Sequence, residues 1–337
     1  MWGCCGSCRC SPSLACTFSA PFSHKPNMSN NTVGENGTAH DMQSTAYALM
    51  YGSVMALGLP LNAVSLWILL RRHGITSPST VFMVNLAISD LLLVISLPAR
   101  VFFYATGTWP LGSLACVCFT MLFRNNFRSS IIFITFISVD RLLAVVYPLR
   151  SRRVRTTANA WRAAVLIWLL LYTVNVPESV KSMRIVNGYN GSLCFEFRRR
   201  SGDSHISFLH SFFSVFVLTL LGVNIVCTVL VTWTLRRRVN ESAKVDNKVN
   251  VMLILAVNLL MFTIFFLPLS LFMFKSAVPY ITPMTCFATV NCCLDPLLQH
   301  SVTSIDKAHV ASPNRKGIIC TCFAQKNVKT KHGLYLK

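Results

Sequence analysis

Charge is what this chain lacks. Only 12% of its 337 residues are Asp, Glu, Lys or Arg, against 53% apolar, and an ordinary soluble surface needs about twice that charge. A water-soluble globule is therefore excluded, and lipid is left as the solvent. Acids are the scarcest of all, 11 Asp and Glu against 31 Lys and Arg, for a formal net charge of +20. In a soluble protein that excess would suggest nucleic acid; in a membrane protein, basic cytoplasmic rims against anionic headgroups account for most of it, and no nucleic-acid partner is expected. Internal repeats are missing too, which disfavours a membrane transporter, the alternative from another class. An intramembrane enzyme would need a nucleophile and base or a metal pair, and His210, the one in-span histidine, has no matching partner.

What is there is apolar length. A hydrocarbon core needs about 20 mostly apolar residues per helix, and seven such runs occur, roughly at 46–70, 80–104, 113–142, 160–180, 207–235, 249–275 and 277–299. The fold class expected is an all-α membrane protein, a seven-transmembrane helix bundle. Positive residues crowd the odd-numbered connectors: Arg71 and Arg72, then Arg150, Arg152, Arg153 and Arg155, then Arg236, Arg237, Arg238, Lys244 and Lys248. Lys307, Arg315, Lys316, Lys326 and Lys329 add to the tail. The positive-inside rule places these in the cytoplasm and the N-terminus outside. Glycosylation acceptors agree, with Asn27, Asn30 and Asn36 in the N-terminal segment and Asn190 in the fourth connector; Asn240 fits the pattern on the wrong side. The expected domains are an extracellular glycosylated segment over 1–43 without fixed structure, the seven-transmembrane bundle over 44–300 and a cytoplasmic tail over 301–337.

Cys4, Cys5, Cys8, Cys10 and Cys16 crowd the first segment. A small disulfide knot, a zinc site without histidines and a plain extension with Met28 or Met42 as a later initiator are all open; the plain extension is preferred. Cys320 and Cys322, after a basic stretch, are palmitoylation candidates, with unmodified thiols as the other reading.

Ionisable groups inside spans are functional candidates, because each must find a partner or water. Asp90 and Asp295 sit mid-span, with Asn62, Asn126, Ser130 and Asn291 placed to share the polar centre. Such oxygens suit a small hard cation, so a structural sodium ion on Asp90 and Asp295 stands beside a water-filled network in which one Asp stays protonated. Cys116 and Arg141 are 25 residues apart, about 37 Å of helix, which puts Cys116 at the outer rim and Asp140 and Arg141 at the inner one. Cys194 faces the same oxidising side as Cys116, so a disulfide between them is expected to pin the fourth connector over the third span.

These pieces, G-L-P-L-N at 58–62, N-L-A-I-S-D at 85–90, W-P-L-G with Cys116, S-V-D-R-L-L-A-V-V-Y-P-L at 138–149, Trp168 with Pro177, F-F-L-P at 265–268 and N-C-C-L-D-P at 291–296, together resemble the rhodopsin-like (class A) G-protein-coupled receptors. The likeness covers about 43–300. Asp295 and Phe266 are similar to the branch holding protease-activated, nucleotide and lysophospholipid receptors, and G-L-P-L-N-A-V-S-L-W at 58–67, L-P-A-R at 97–100 and S-L-C-F-E-F at 192–197 most resemble the lysophosphatidic acid receptors outside the endothelial-differentiation group. The resemblance implies a plasma-membrane receptor, not an enzyme, coupled to a heterotrimeric G protein through Asp140 and Arg141. Pro268 permits a kink that lets the sixth span swing, with Phe262 and Phe266 beneath the ligand.

The residues point to an anionic ligand on their own account. Arg100 lies about 15 Å outward of Asp90, and Arg124 and Arg128 share one face of the third span. Guanidinium binds phosphate bidentately and keeps its charge when desolvated, which suits a lysophospholipid headgroup. Lys181, Arg184, Arg198, Arg199 and Arg200 make the covering loop basic as well. The other reading has Arg100 snorkelling to the rim, Arg124 reaching water and the loop charges solvated. Arg128 departs from the branch, which expects an aromatic there, and leaves another acidic metabolite, nucleotide or peptide open as ligand. Gln299 in place of a tyrosine, His300 after it, Leu220 in place of a proline and an almost absent sixth connector also depart from the family pattern, so a weakly signalling or decoy variant is the further alternative.

Overall fold

The computed structural model describes residues 33–188, 194–195, 204–237, 245–274 and 278–296, and the side chains of all these except 33–41, 72–73, 204–210, 245–250 and 278–279. Asn27, Asn30, Asn190, Arg198, Arg199, Arg200, Asn240, Gln299, His300, Cys320 and Cys322, and the five N-terminal cysteines, lie outside the described residues. The chain forms two units, Met1–Asp41 and Met42–Lys337. Of the first, the backbone of 33–41 is described and is helical, so Asn36 falls on a helix.

Among the described residues every regular element is helical. Helix α1 spans Val33–Ile68 and ends in a π-helical turn, Leu69–His73, closed by Gly74. Helix α2, Pro78–Thr106, opens with Ser77 accepting from the Thr80 amide and Pro78 in its first turn, and stops at Gly107, whose φ of 66° costs glycine little. Helix α3 covers Gly112–Val146, α4 Thr157–Gly188 and α5 Ser204–Arg237. Helix α6 is built in three pieces, Val245–Met261, a π-turn at Phe262–Phe266 and Leu267–Phe274. Helix α7 is Val278–Ala288, followed by a turn at 289–290 and further helix over 291–296.

Six of these helices are long and apolar enough to cross a membrane; α7 and its continuation occupy the seventh run. The π-turn in α6 has a local cause. Pro268 cannot donate to the carbonyl of Ile264 and its ring would clash there, so the backbone widens by one residue and Leu267 N–H bonds back to Phe262 O. Leu220, where the family pattern has a proline, leaves α5 unbroken, and its carbonyl accepts from Asn224 at 2.9 Å. The described ends of α6 and α7 are Phe274 and Val278, and 275–277 between them lie outside the described residues.

Helix α3 is the axis of the bundle, packing against α2, α4 and α5. With no hydrophobic drive inside lipid, polar ties and close packing hold such helices together. Trp168 Nε1 donates to Asn85 Oδ1 at 2.9 Å and links α4 to α2. Asn224 Nδ2 donates to Thr135 Oγ1 at 2.8 Å and links α5 to α3. Asn62 Nδ2 reaches Cys292 O at 2.8 Å and ties α1 to the segment after α7.

Two boundaries differ from expectation. Helix α1 begins at Val33 rather than near 46. Helix α4 runs to Gly188 rather than ending near 180, so Lys181 and Arg184 belong to a helix and not to a covering loop.

Candidate functional site

The three arginines singled out in the sequence come together at the Cys116 end of the bundle, with Arg100 and Arg128 both in electrostatic range of Arg124. Arg100 is 6% exposed. Its guanidinium carbon lies 3.8 Å from the ring centre of Phe123, 4.5 Å from that of Phe195 and 5.8 Å from that of Tyr51. This aromatic box holds the cation by its ring faces and leaves the buried Nε without a hydrogen-bond partner. An Arg snorkelling to the rim would not be enclosed in this way.

Phe195 reaches Arg100 through the disulfide. Cys116 and Cys194 are bonded with their Cα atoms 5.7 Å apart, and Phe195, next in the chain, adopts a φ of 65°. That left-handed conformation is uncommon and costly for a bulky residue. Here it turns the ring inward, edge-on to Phe103 at 5.5 Å and Trp109 at 5.2 Å.

Arg124 and Arg128 share a counter-charge that the sequence reading missed. Glu178 on α4 meets Arg124 Nη1 through Oε1 at 3.2 Å and Arg128 Nη2 through Oε2 at 2.7 Å. Arg128 also donates to Asn175 Oδ1, and Asn175 donates in turn to Asn125 Oδ1 and to Leu171 O. Phe213 of α5 lies 5.6 Å from the Arg128 guanidinium. The signal for Glu178 was available: an acid inside an apolar run, in a chain with 11 acids, needs a cation. Three guanidiniums against one carboxylate leave two formal positive charges in excess among the described residues. Beneath them Phe266 is buried, edge-on to Phe127 at 5.2 Å and to Phe262 at 5.7 Å, so the floor of the cluster rests on the Pro268 bulge.

Further along the axis lies the polar centre. Asn126 Nδ2 donates to Asp90 Oδ1 at 2.8 Å, with Ser89 at 3.3 Å and Ser130 at 3.4 Å around it. Asn291 Nδ2 donates to Asp295 Oδ2 at 2.7 Å, and the two carboxyls are neighbours. Asn291 Oδ1 and Asn62 Oδ1 are buried without a hydrogen-bond partner, and Asp90 Oδ2 and Asp295 Oδ1 have one only where the two carboxyls share a proton. Orphaned oxygens of this kind fit a hard cation, which takes oxygen ligands only.

At the opposite end, Asp140 and Arg141 are both buried. Asp140 accepts from Ser79 Oγ and from Arg155, Nε to Oδ1 at 2.7 Å and Nη2 to Oδ2 at 3.1 Å. Arg155 appeared in the sequence only as part of a basic connector; the tight turn over Pro148–Ser151, in which Ser151 Oγ donates to Leu143 O at 3.0 Å, brings it back to α3.

Residues 61–298 match the model of the 7 transmembrane receptor (rhodopsin family). The chain is 34% identical over 276 residues to the lysophosphatidic acid receptor 6 of Mus musculus, covering 76% of this chain and 80% of that one. It is 33% identical over 298 residues to the lysophosphatidic acid receptor 4 of Homo sapiens, covering 82% and 80%, and 31% identical over 290 residues to the human S-geranylgeranyl-glutathione receptor, covering 80% and 81%.

Proposed function

We propose that this chain, which belongs to the rhodopsin family of seven-transmembrane receptors, is activated by an anionic lysophospholipid of the lysophosphatidic acid kind. Membership makes it a multi-pass plasma-membrane receptor of the G-protein-coupled type, and its relatives bear the names of receptors rather than of enzymes.

One observation carries the ligand class. Arg124 and Arg128 share a single described carboxylate, and Arg100, in electrostatic range of Arg124, keeps a buried donor without a partner. A desolvated guanidinium with unused donors favours an anion bearing several oxygens, and phosphate meets that need bidentately. In the orientation that the positive connectors imply, this end faces outward. Relatives named for lysophosphatidic acid support the same class. The Phe123, Phe127 and Phe266 surroundings suit an acyl chain.

The reading is tested by G-protein activation in cells expressing the receptor, across a lysophosphatidic acid, the fatty acid and the neutral monoacylglycerol of the same chain. The lysophosphatidic acid is expected to signal and the neutral lipid to be silent. Arg100→Ala and Arg124→Ala each lose charge-assisted bonds of about 2 kcal/mol, a potency loss of roughly 30-fold. Silence toward every acidic lipid at normal surface level would favour a decoy, and a response unchanged in both variants would sink the arginine cradle.

A further inference from the structure

Glu178 holds the position that an anionic headgroup would take. Its two oxygens are divided between two arginines, Oε1 to Arg124 and Oε2 to Arg128, as the oxygens of a bound phosphate or carboxylate would be. The three side chains are 24%, 17% and 21% exposed, so the cluster is neither sealed nor freely solvated. The carboxylate comes from α4 and both cations from α3, and the residue is set one past Pro177 at a fixed place on its helix.

We infer that Glu178 is the resident counter-anion of this site, and that ligand binding is an exchange in which the headgroup displaces Glu178 from Arg124 and Arg128. The inference rests on the reading that these arginines take an anionic lysolipid. Two anions on one half-buried pair of guanidiniums repel each other, and the repulsion grows with the charge of the incoming headgroup. Exchange relieves it. Arg128 keeps its hydrogen bond to Asn175 through Nη1 while Nη2 changes partner, so the cation stays aimed into the site. Losing Glu178 also loosens the ionic tie between α3 and α4, leaving Asn175 bonded to Arg128 and Asn125 at that level.

An intrinsic competitor lowers affinity for every anion and has no effect on a neutral lipid. Its removal therefore has a signature that a purely structural ion pair lacks, because the gain must scale with headgroup charge. A phosphomonoester carries about −1.5 to −2 near neutral pH and a fatty acid −1.

The experiment measures binding to full-length receptor in membranes, using a labelled lysophosphatidic acid displaced by unlabelled lysophosphatidic acid, the fatty acid or the monoacylglycerol of the same chain. Wild type, Glu178→Gln and Arg100→Ala are compared at matched surface level. In Glu178→Gln the fatty acid is expected to bind about fivefold more tightly and the lysophosphatidic acid about 25-fold more tightly, with the monoacylglycerol unchanged. Should Glu178→Gln fail to reach the surface, Glu178→Asp keeps the charge but is too short to span both arginines, and the gain is smaller in the same order.

Weaker lysophosphatidic acid binding in Glu178→Gln would mean that Glu178 positions the arginines rather than competing for them, and overturns the inference. Equal gains for all three lipids would overturn it too. If the wild type binds neither acidic lipid, the underlying ligand assignment fails. If it binds them and Arg100→Ala weakens that binding, the assignment survives whatever Glu178→Gln does.

Discussion

Arg155 grips Asp140 through both carboxylate oxygens, at 2.7 and 3.1 Å, from a connector fourteen residues beyond Arg141. The bidentate geometry is the strong form of the ion pair, and Asp140 is nearly fully buried whereas Arg155 keeps 26% of its side chain exposed. On the reading that Asp140 and Arg141 hold α3 inactive and then meet the G protein, Arg155 stabilises the resting arrangement. Arg155→Ala removes about 1 kcal/mol after allowance for solvent screening, which shifts a two-state balance about fivefold. Ligand-independent G-protein activation at matched surface level is expected to rise by that factor; an unchanged or lower basal signal would rule the latch out.

Breaking the disulfide has two separable effects. Closing a loop with a sequence separation of 78 is worth roughly 4 kcal/mol in chain entropy, and Cys194 is also what delivers Phe195 to Arg100. Cys116→Ser and Cys194→Ser are each expected to lower the melting temperature of detergent-solubilised receptor and to abolish lysophosphatidic acid binding. Phe195→Ala leaves the disulfide in place but should lower the melting temperature too, because the buried ring packs on Phe103 and Trp109, and it should weaken binding, since it removes one wall of the aromatic box around Arg100.

Gly58 allows α1 to approach its neighbours. A Cβ built there would sit 3.1 Å from Cys292 Sγ and 3.3 Å from a methyl of Val94, tighter than ordinary contact. Gly58→Val forces these groups apart and strains the Asn62 bond to Cys292 O one turn along, at a cost of about 1–3 kcal/mol. Thermal unfolding of the purified receptor should show a fall of several degrees. Gly52→Val is the control, because nothing lies within 4 Å of its Cβ position, and it should leave the midpoint unchanged.

The orphaned oxygens of Asp90, Asn291, Asp295 and Asn62 are proposed to receive sodium. Replacing sodium by potassium at constant ionic strength is then expected to change the affinity of a labelled lysophosphatidic acid in wild type, and not in Asp90→Asn, where one charged ligand is lost. Asp90→Asn should fold, because an amide oxygen can still accept from Asn126. Equal sodium sensitivity in both proteins would assign these residues to a water network.

Much of this receptor was legible in one dimension, because a bilayer imposes one-dimensional rules. Apolar length marks a crossing, positive residues mark a side, and an ionisable group within a span must be compensated, so the helices, the paired polar positions at Asp90 and Asp295 and the arginines at 100, 124 and 128 could be named from their spacing. The effect of Pro268 was readable for the same local reason, the expected kink being met by the bulge in α6. Only the tertiary structure decided who partners whom. Glu178 lies 54 residues from Arg124 and 50 from Arg128, Arg155 returns to Asp140 across a turn, and Phe195 closes over Arg100 through a disulfide and a positive φ. Pairing between helices depends on their rotation about their own axes and on the path of the connectors, and a hydropathy pattern constrains neither. Charge at a position is a property of the sequence; its neutralisation is a property of the fold.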